Sequence, residues 1–241
     1  MSAHPLTILR TALKAILLTQ VALAIAESPA RAQNYAAFTD DSGVGFDAVA
    51  AHIGIVSRFD VSLGASAWCG IDEGTRTCWL QVGWRYQAGY TYPQKYIEYV
   101  TEDGNPSYPI EKGDAVAADY EIERDGSNVR FYIGGFLVET LNWADFDDRP
   151  LCKAQYGAEV HFDPYDHVPG TPPNNPPVGP PLPAEHCHFT DVEVREISGS
   201  YQAATFVGTQ GPVASCYNVS RSSNNFEVWD KRGISVVPCP P

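Results

Sequence analysis

Basic residues are scarce in this chain. Sixteen lysines and arginines stand against 29 aspartates and glutamates, a formal net charge of −13. Such a surface repels nucleic acid phosphates and anionic membranes, so neither is an expected partner. Beyond residue 32 no apolar run is long enough to span a bilayer as a helix, so the product is expected to be released and not anchored. No C-x-x-C pair is present, which weakens a metal reading of the six cysteines. Sustained helical periodicity is missing as well, so helix bundles and α/β folds are not expected.

What is present begins with an export signal. Arg10 and Lys14 precede the apolar run AILLTQVALAIA (15–26), and Ala30-Arg31-Ala32 forms an A-x-A site. The run has signal-peptide length, so residues 1–32 are expected to be removed, with Gln33 as the mature N-terminus. A secreted product, extracellular or periplasmic, follows. The segment carries three basic groups and one acid, which leaves 13 basic and 28 acidic residues, net −15. All six cysteines (Cys69, Cys78, Cys152, Cys187, Cys216, Cys239) lie beyond it. An even number in an exported chain reads as disulfides, with Cys69–Cys78 across a hairpin and Cys216–Cys239 on the tail as plausible pairs among the 15 possible sets.

Short alternating segments dominate the rest, the pattern of an all-β sandwich or jelly roll built from two antiparallel sheets. In DAVAADYEIE (114–123), Val116, Ala118, Tyr120 and Ile122 share a face. Asp125-Gly126 signals a hairpin, and Val129, Phe131 and Ile133 return on one face before Gly134-Gly135 turns the chain again. Further strands are expected at 48–56, 66–71, 78–86, 95–101, 155–163 and 188–197. Between the last two, nine of the 20 residues from 164 to 183 are proline, a density that excludes sheet and favours extended polyproline II. The expected organisation is a signal peptide (1–32), a β-sandwich (33–197) with a proline-rich insert (164–183), and a C-terminal extension of the same domain (198–241) with one or two strands.

Strand parity sorts the side chains, because alternate residues face opposite sides of a sheet. Leu80, Val82 and Trp84 read as core, with Trp79, Gln81, Gly83 and Arg85 opposite. Tyr96, Glu98 and Val100 oppose Ile97 and Tyr99, and Glu159, His161 and Asp163 oppose Ala158, Val160 and Phe162. If these strands are neighbours, one face gathers Trp68, Asp72, Gln81, Glu98, Glu159 and Asp163 into a cleft; the alternative is a solvated outer face.

The segments GFDAVAAHIGIVS (45–57), AWCGID (67–72), LQVGW (80–84), YIEY (96–99), IEKGD (110–114) and LCKAQYGAEVHFD (151–163) resemble, in order and spacing, the eqolisins, the glutamic peptidases. The resemblance runs from Gly45 to Ile197. It implies a concanavalin-like jelly roll and a secreted acid endopeptidase acting on polypeptides without a cofactor. It places the catalytic glutamine on Gln81, and substrate-binding roles on Trp68, Asp72 and Glu98. The family's A-E-x-x-x-E segment corresponds to 158–163, where Asp163 stands in place of the catalytic glutamate, and Glu159 is the alternative proton carrier. Alignment from Cys152 puts His161 there instead.

Two other readings of the residues stay open. Glu98 and Glu159 can serve a glycoside hydrolase, with the aromatic stretch 79–99 for sugar stacking. A jelly roll with an altered catalytic strand can instead be a non-catalytic glycan- or peptide-binding module. His161, His167, His186 and His188 flank the proline-rich segment, but a zinc site there is the weaker reading of solvated histidines. The chain is expected to be a monomer without metal.

Overall fold

The computed structural model describes residues 34–40, 45–56, 64–72, 78–87, 90, 92–101, 107, 110–146, 153–160, 186–197, 199–206, 208–210 and 217–230. Residues 1–32, expected to be an export signal, the proline-rich segment 164–183, His161, Asp163, His167 and three of the cysteines (Cys152, Cys216, Cys239) lie outside the described residues.

Fifteen strands and one short 3₁₀ turn are described. They are β1 (Asn34–Asp40), β2 (Phe46–Ile53), β3 (Gly64–Asp72), β4 (Trp79–Gln87), β5 (Gln94–Val100), β6 (Ile110–Asp114), β7 (Ala118–Asp125), β8 (Asn128–Ile133), β9 (Phe136–Asn142), β10 (Lys153–Val160), β11 (Cys187–Glu196), β12 (Tyr201–Ala203), β13 (Gly208–Gln210), β14 (Tyr217–Ser222) and β15 (Asn225–Asp230), with the 3₁₀ turn at Trp143–Phe146. They make two antiparallel sheets. The first runs β13-β1-β10-β3-β4-β5-β6; the second runs β14-β15-β11-β2-β7-β8-β9, with β12 also on β11. This is a two-sheet β-sandwich of jelly-roll type.

The core lies between the sheets. The first contributes Ala67, Cys69, Leu80, Val82, Trp84, Ile97 and Tyr156, and the second Val49, Ile53, Tyr120, Ile122, Phe131, Phe189 and Val194. The strands supply alternate residues, as a pleated sheet with one face inward requires, and β11 shifts its parity at the irregularity between Thr190 and Glu193. Aromatic rings lock one end: Phe226 stacks on Phe189 at 4.3 Å and meets Phe38 edge-on at 4.9 Å.

The hairpin after β7 turns on Gly126-Ser127 and not on Asp125-Gly126. Asp125 pairs with Asn128, and Gly126 has a φ of 61° while Ser127 is not left-handed. Positive φ at the first turn position alone is the type II′ arrangement, which favours glycine there. Gly134-Gly135, both with positive φ, form the type I′ counterpart between β8 and β9.

Two further expectations are corrected, and one strand is added. The strand expected over 114–123 begins at Ala118, because the chain crosses from the first sheet to the second after β6. Val116 sits in that crossing, 59% exposed, and leaves the inward set. The tail holds four strands where one or two were expected, and β13 joins the first sheet while the others complete the second. β1, which alternation did not reveal, pairs along its whole length with β10.

The expected Cys69–Cys78 disulfide is also corrected, while Cys216–Cys239 lies outside the described residues. Cys69 and Cys187 are buried thiols facing the sandwich interior, and the Cys69 Sγ–H donates to the Tyr120 carbonyl at 3.4 Å. Burial raises both thiols above the usual cysteine range. Cys69 pairs in register with Val82, four positions along the strand from Cys78, about 13 Å at the usual rise per residue. A disulfide needs Cα atoms within roughly 7 Å.

Candidate functional site

The site lies on the face of the first sheet that points away from the core. The ladder sets side chains there in rows. One row reads Gln155 (β10), Gly70 (β3), Gln81 (β4), Glu98 (β5); the next reads Ala37 (β1), Gly157, Trp68, Gly83, Tyr96; the third reads Glu159, Ser66, Arg85, Gln94. Asp72 opens a fourth row, between Lys153 and Trp79.

Such a face is ordinarily solvated, yet this one is closed. Ser66, Asp72, Gln81, Gln155 and Glu159 are each 9% exposed or less. Buried polar side chains persist only when hydrogen-bonded, and these are. Gln155 Nε2 donates to Asp72 Oδ2. Ser66 Oγ donates to Glu159 Oε1 at 3.2 Å. Gln81 Nε2 donates to Tyr96 Oη at 2.7 Å and to Glu98 Oε2 at 3.4 Å. Two hydrogen-bonded groups therefore share the face, Gln81 with Tyr96 and Glu98, and Ser66 with Glu159.

The glycines in the middle row let the aromatics meet. Ala37, Trp68 and Tyr96 form a small apolar cluster across Gly157 and Gly83. A Cβ on Gly83 would stand 2.0 Å from the Ala67 carbonyl oxygen and 2.7 Å from Trp68 Cα, so β3 and β4 approach here more closely than a side chain permits. The Trp68 indole N–H is buried and has no hydrogen-bond partner among the described residues. A buried donor of this kind is costly unless something else accepts from it.

Electrostatics separate the carboxyls. Burial first, and then the charge of Glu159, push the Glu98 carboxyl up to about 8, with Arg85 opposing. Burial, followed by the charges of Glu159 and Glu98, holds the Tyr96 phenol well above its usual range. Arg85 is engaged by Glu111 at 2.8 Å. Near neutrality Glu98 is thus largely a hydrogen-bonding acid, while Glu159 accepts from Ser66.

Of the residues singled out by sequence, Trp68, Asp72, Gln81, Glu98 and Glu159 share this face, and Asp163 lies outside the described residues. Sequence reasoning left out Ser66, Tyr96 and Gln155 as site residues. Parity places Ser66 with Trp68, and Gln155 with Glu159, so the signal was available; burial was not. His186 and His188 are on the other sheet, with Nδ1 atoms 2.7 and 3.2 Å from the Glu227 carboxylate, and His186 is stacked on Trp229.

No family model matches the chain, and no curated protein matches it. Solved structures do. SCP-B, a member of the eqolisin family of peptidases solved with the tripeptide Ala-Ile-His, is 18% identical over 81% of this chain and 97% of its own, with a TM-score of 0.52. Scytalido-glutamic peptidase with a peptide-based transition state analogue is 17% identical over 81% of this chain and 97% of its own, TM-score 0.53. The same peptidase with a transition state analogue inhibitor gives 17%, 82%, 97% and 0.54. The fold of this chain is that of the eqolisin peptidases.

Proposed function

We propose that this chain is a secreted endopeptidase of the glutamic type, in which Glu159 moves the proton and Gln81 handles the substrate carbonyl. The carrying observation is that Gln81, bonded to Tyr96 and Glu98, and Glu159, bonded to Ser66, are buried together on one sheet face. A carboxylate acting as general base needs hydrogen-bond reach to a water, and a developing oxyanion needs a fixed donor. Glu159 supplies the first and the Gln81 amide the second. Trp68 adds an indole N–H without a partner among the described residues, suited to a peptide carbonyl, and Asp72 and Glu98 flank the substrate. The fold shared with peptidases solved with peptide ligands supports a polypeptide substrate.

Chemically, Glu159 takes a proton from water as its oxygen bonds to the carbonyl carbon and the C=O pair moves onto oxygen. The same proton then goes to the amine as the C–N bond breaks. Digestion of an unstructured protein between about pH 2 and pH 6 tests this, with Gln81→Ala as control; losing one oxyanion donor costs about 10²–10³ in turnover. Substituting Glu159 and Asp163 separately by their amides identifies the proton carrier. Cleavage that survives Gln81→Ala refutes the assignment.

A second reading rests on Glu98 and Glu159 as an acid and a carboxylate of one site, the equipment of a glycoside hydrolase. Sugar polymers in the same assay decide it. A chain that binds peptide or glycan but cuts neither is a binding module.

A further inference from the structure

A buried N–H without an acceptor is rare, and it costs free energy until something accepts from it. Among the described residues three buried side-chain N–H groups lack a partner, Trp68 Nε1, Arg85 Nε and Trp143 Nε1. Two of them belong to the site face. Trp68 on β3 pairs with Gly83 on β4, and Arg85 lies two residues further along β4. The two are therefore diagonal neighbours, with Cα atoms about 7–8 Å apart. Two unfilled donors sit side by side on this face, one of them a cation.

Arg85 is held in place without being used up. Glu111 on β6 takes Nη2 at 2.8 Å through Oε1, while its Oε2 accepts from Tyr90 at 3.4 Å. A carboxylate that served Arg85 alone would grip the guanidinium with both oxygens, whereas this one leaves Nε open. The Arg85 side chain is 19% exposed, so its charge is partly shielded from water yet not sealed off from a ligand. Its surroundings are acidic. Ser66, opposite Arg85, is bonded to Glu159 on β10; Gln94 on β5 is bonded to Asp114 on β6; Glu98 on β5 stands opposite Gln81. Lys153, the other cation of this face among the described residues, stands at the far end beside Asp72. At its own end the guanidinium is thus the group that attracts an anion.

We propose that Arg85 selects substrates with an aspartate or glutamate near the cleaved bond, its guanidinium binding that side chain while the Trp68 N–H takes a neighbouring main-chain carbonyl. This rests on the reading of Gln81 and Glu159 as the reacting pair. Gln81 and Arg85 are four residues apart on β4, about 13 Å at the usual rise. An extended peptide covers that distance in about four residues, so the acidic residue falls within about four positions of the cut, on one side of it. A carboxyl group gains from the guanidinium only while it is ionised. Substrate aspartate and glutamate ionise at roughly pH 4, so the preference appears above that value and fades below about pH 3. The charged groups that face Arg85 are Glu111 and Asp114 on β6, Glu98 on β5 and Glu159 on β10. Each acts equally on two substrates that differ in one side chain, so a ratio of rates cancels their titration.

The test uses the full chain and a sequence that it cuts in the digest, remade as peptide pairs with Glu or Gln at each position around the cut. At one position wild type should favour the Glu peptide about tenfold in kcat/KM at about pH 5.5, and the ratio should approach one at about pH 3. Arg85→Gln should bring the ratio to one at both pH values. Arg85→Lys keeps the charge among the surrounding carboxylates but loses the Nε–H and the planar fork. It should lower the ratio severalfold, and it decides the matter if Arg85→Gln does not fold. A wild-type ratio of one at every position, or a ratio that either variant leaves intact, overturns the role of Arg85. Wild type that hydrolyses no peptide sinks the peptidase reading instead. Fluorescence anisotropy of labelled Glu and Gln forms of an unstructured peptide then decides: tighter binding of the Glu form that Arg85→Gln removes supports the site, and equal binding overturns it.

Discussion

Replacing Glu98 with glutamine should flatten the dependence of stability on pH. Glu98 stands half-buried on β5 opposite Gln81, and its carboxyl is raised from 4.5 to about 8, by burial first and by Glu159 second. A folded-state value above the unfolded one means that the folded chain holds this proton more tightly. The stabilisation is fully present below about pH 4.5, and it is lost as pH rises through about 8. One pKa unit corresponds to about 1.4 kcal/mol, so the full shift sets an upper bound of about 5 kcal/mol. Glutamine keeps the shape and can still accept from Gln81 Nε2, but it cannot ionise. Urea unfolding followed by tryptophan fluorescence, from about pH 4 to pH 9, gives both curves. The wild-type curve should fall relative to the variant's between about pH 5 and pH 8, and the carboxylates not coupled to Glu98 cancel in the difference. Parallel curves would show that Glu98 titrates alike in the folded and unfolded chain, and would refute the electrostatic account of the site.

Gly83→Ala should destabilise the chain by about 1–3 kcal/mol or more, since a Cβ there meets backbone atoms that cannot move aside; an unchanged melting temperature would contradict the close approach of β3 and β4. Trp68→Phe keeps an aromatic ring but deletes the indole N–H, and should cost about tenfold in peptide turnover with little loss of stability; unchanged turnover would remove Trp68 from substrate contact. Thiol titration should find Cys69 and Cys187 unreactive in the native chain and reactive once it is denatured without reductant. Mass spectrometry placing either in a disulfide would overturn the described pairing.

The all-β class was legible because inward and outward residues alternate along a strand. Leu80-Val82-Trp84 and Val129-Phe131-Ile133 are buried as their parity dictates. Parity also placed Trp68, Asp72, Gln81, Glu98 and Glu159 on one side of their strands, a consequence of covalent geometry alone. Short or less apolar segments were not legible. β1 and the four strands of the tail gain their strand form from the ladders they join, since two-stranded pairing is marginal until a third strand or a core supports it. Val116 shows the limit of parity, which cannot tell where a strand ends and the chain crosses to the other sheet. An even cysteine count with an expected export signal suggested disulfides, but the register holds Cys69 against Val82 and sends its thiol into the core. Tertiary structure alone decided that the polar face is closed. Strand pairing sets Gln81 beside Tyr96 and Glu98, and Ser66 beside Glu159, and burial raises the Glu98 carboxyl. Such pairing depends on strands 15 to 93 residues apart in sequence, and no local pattern encodes that.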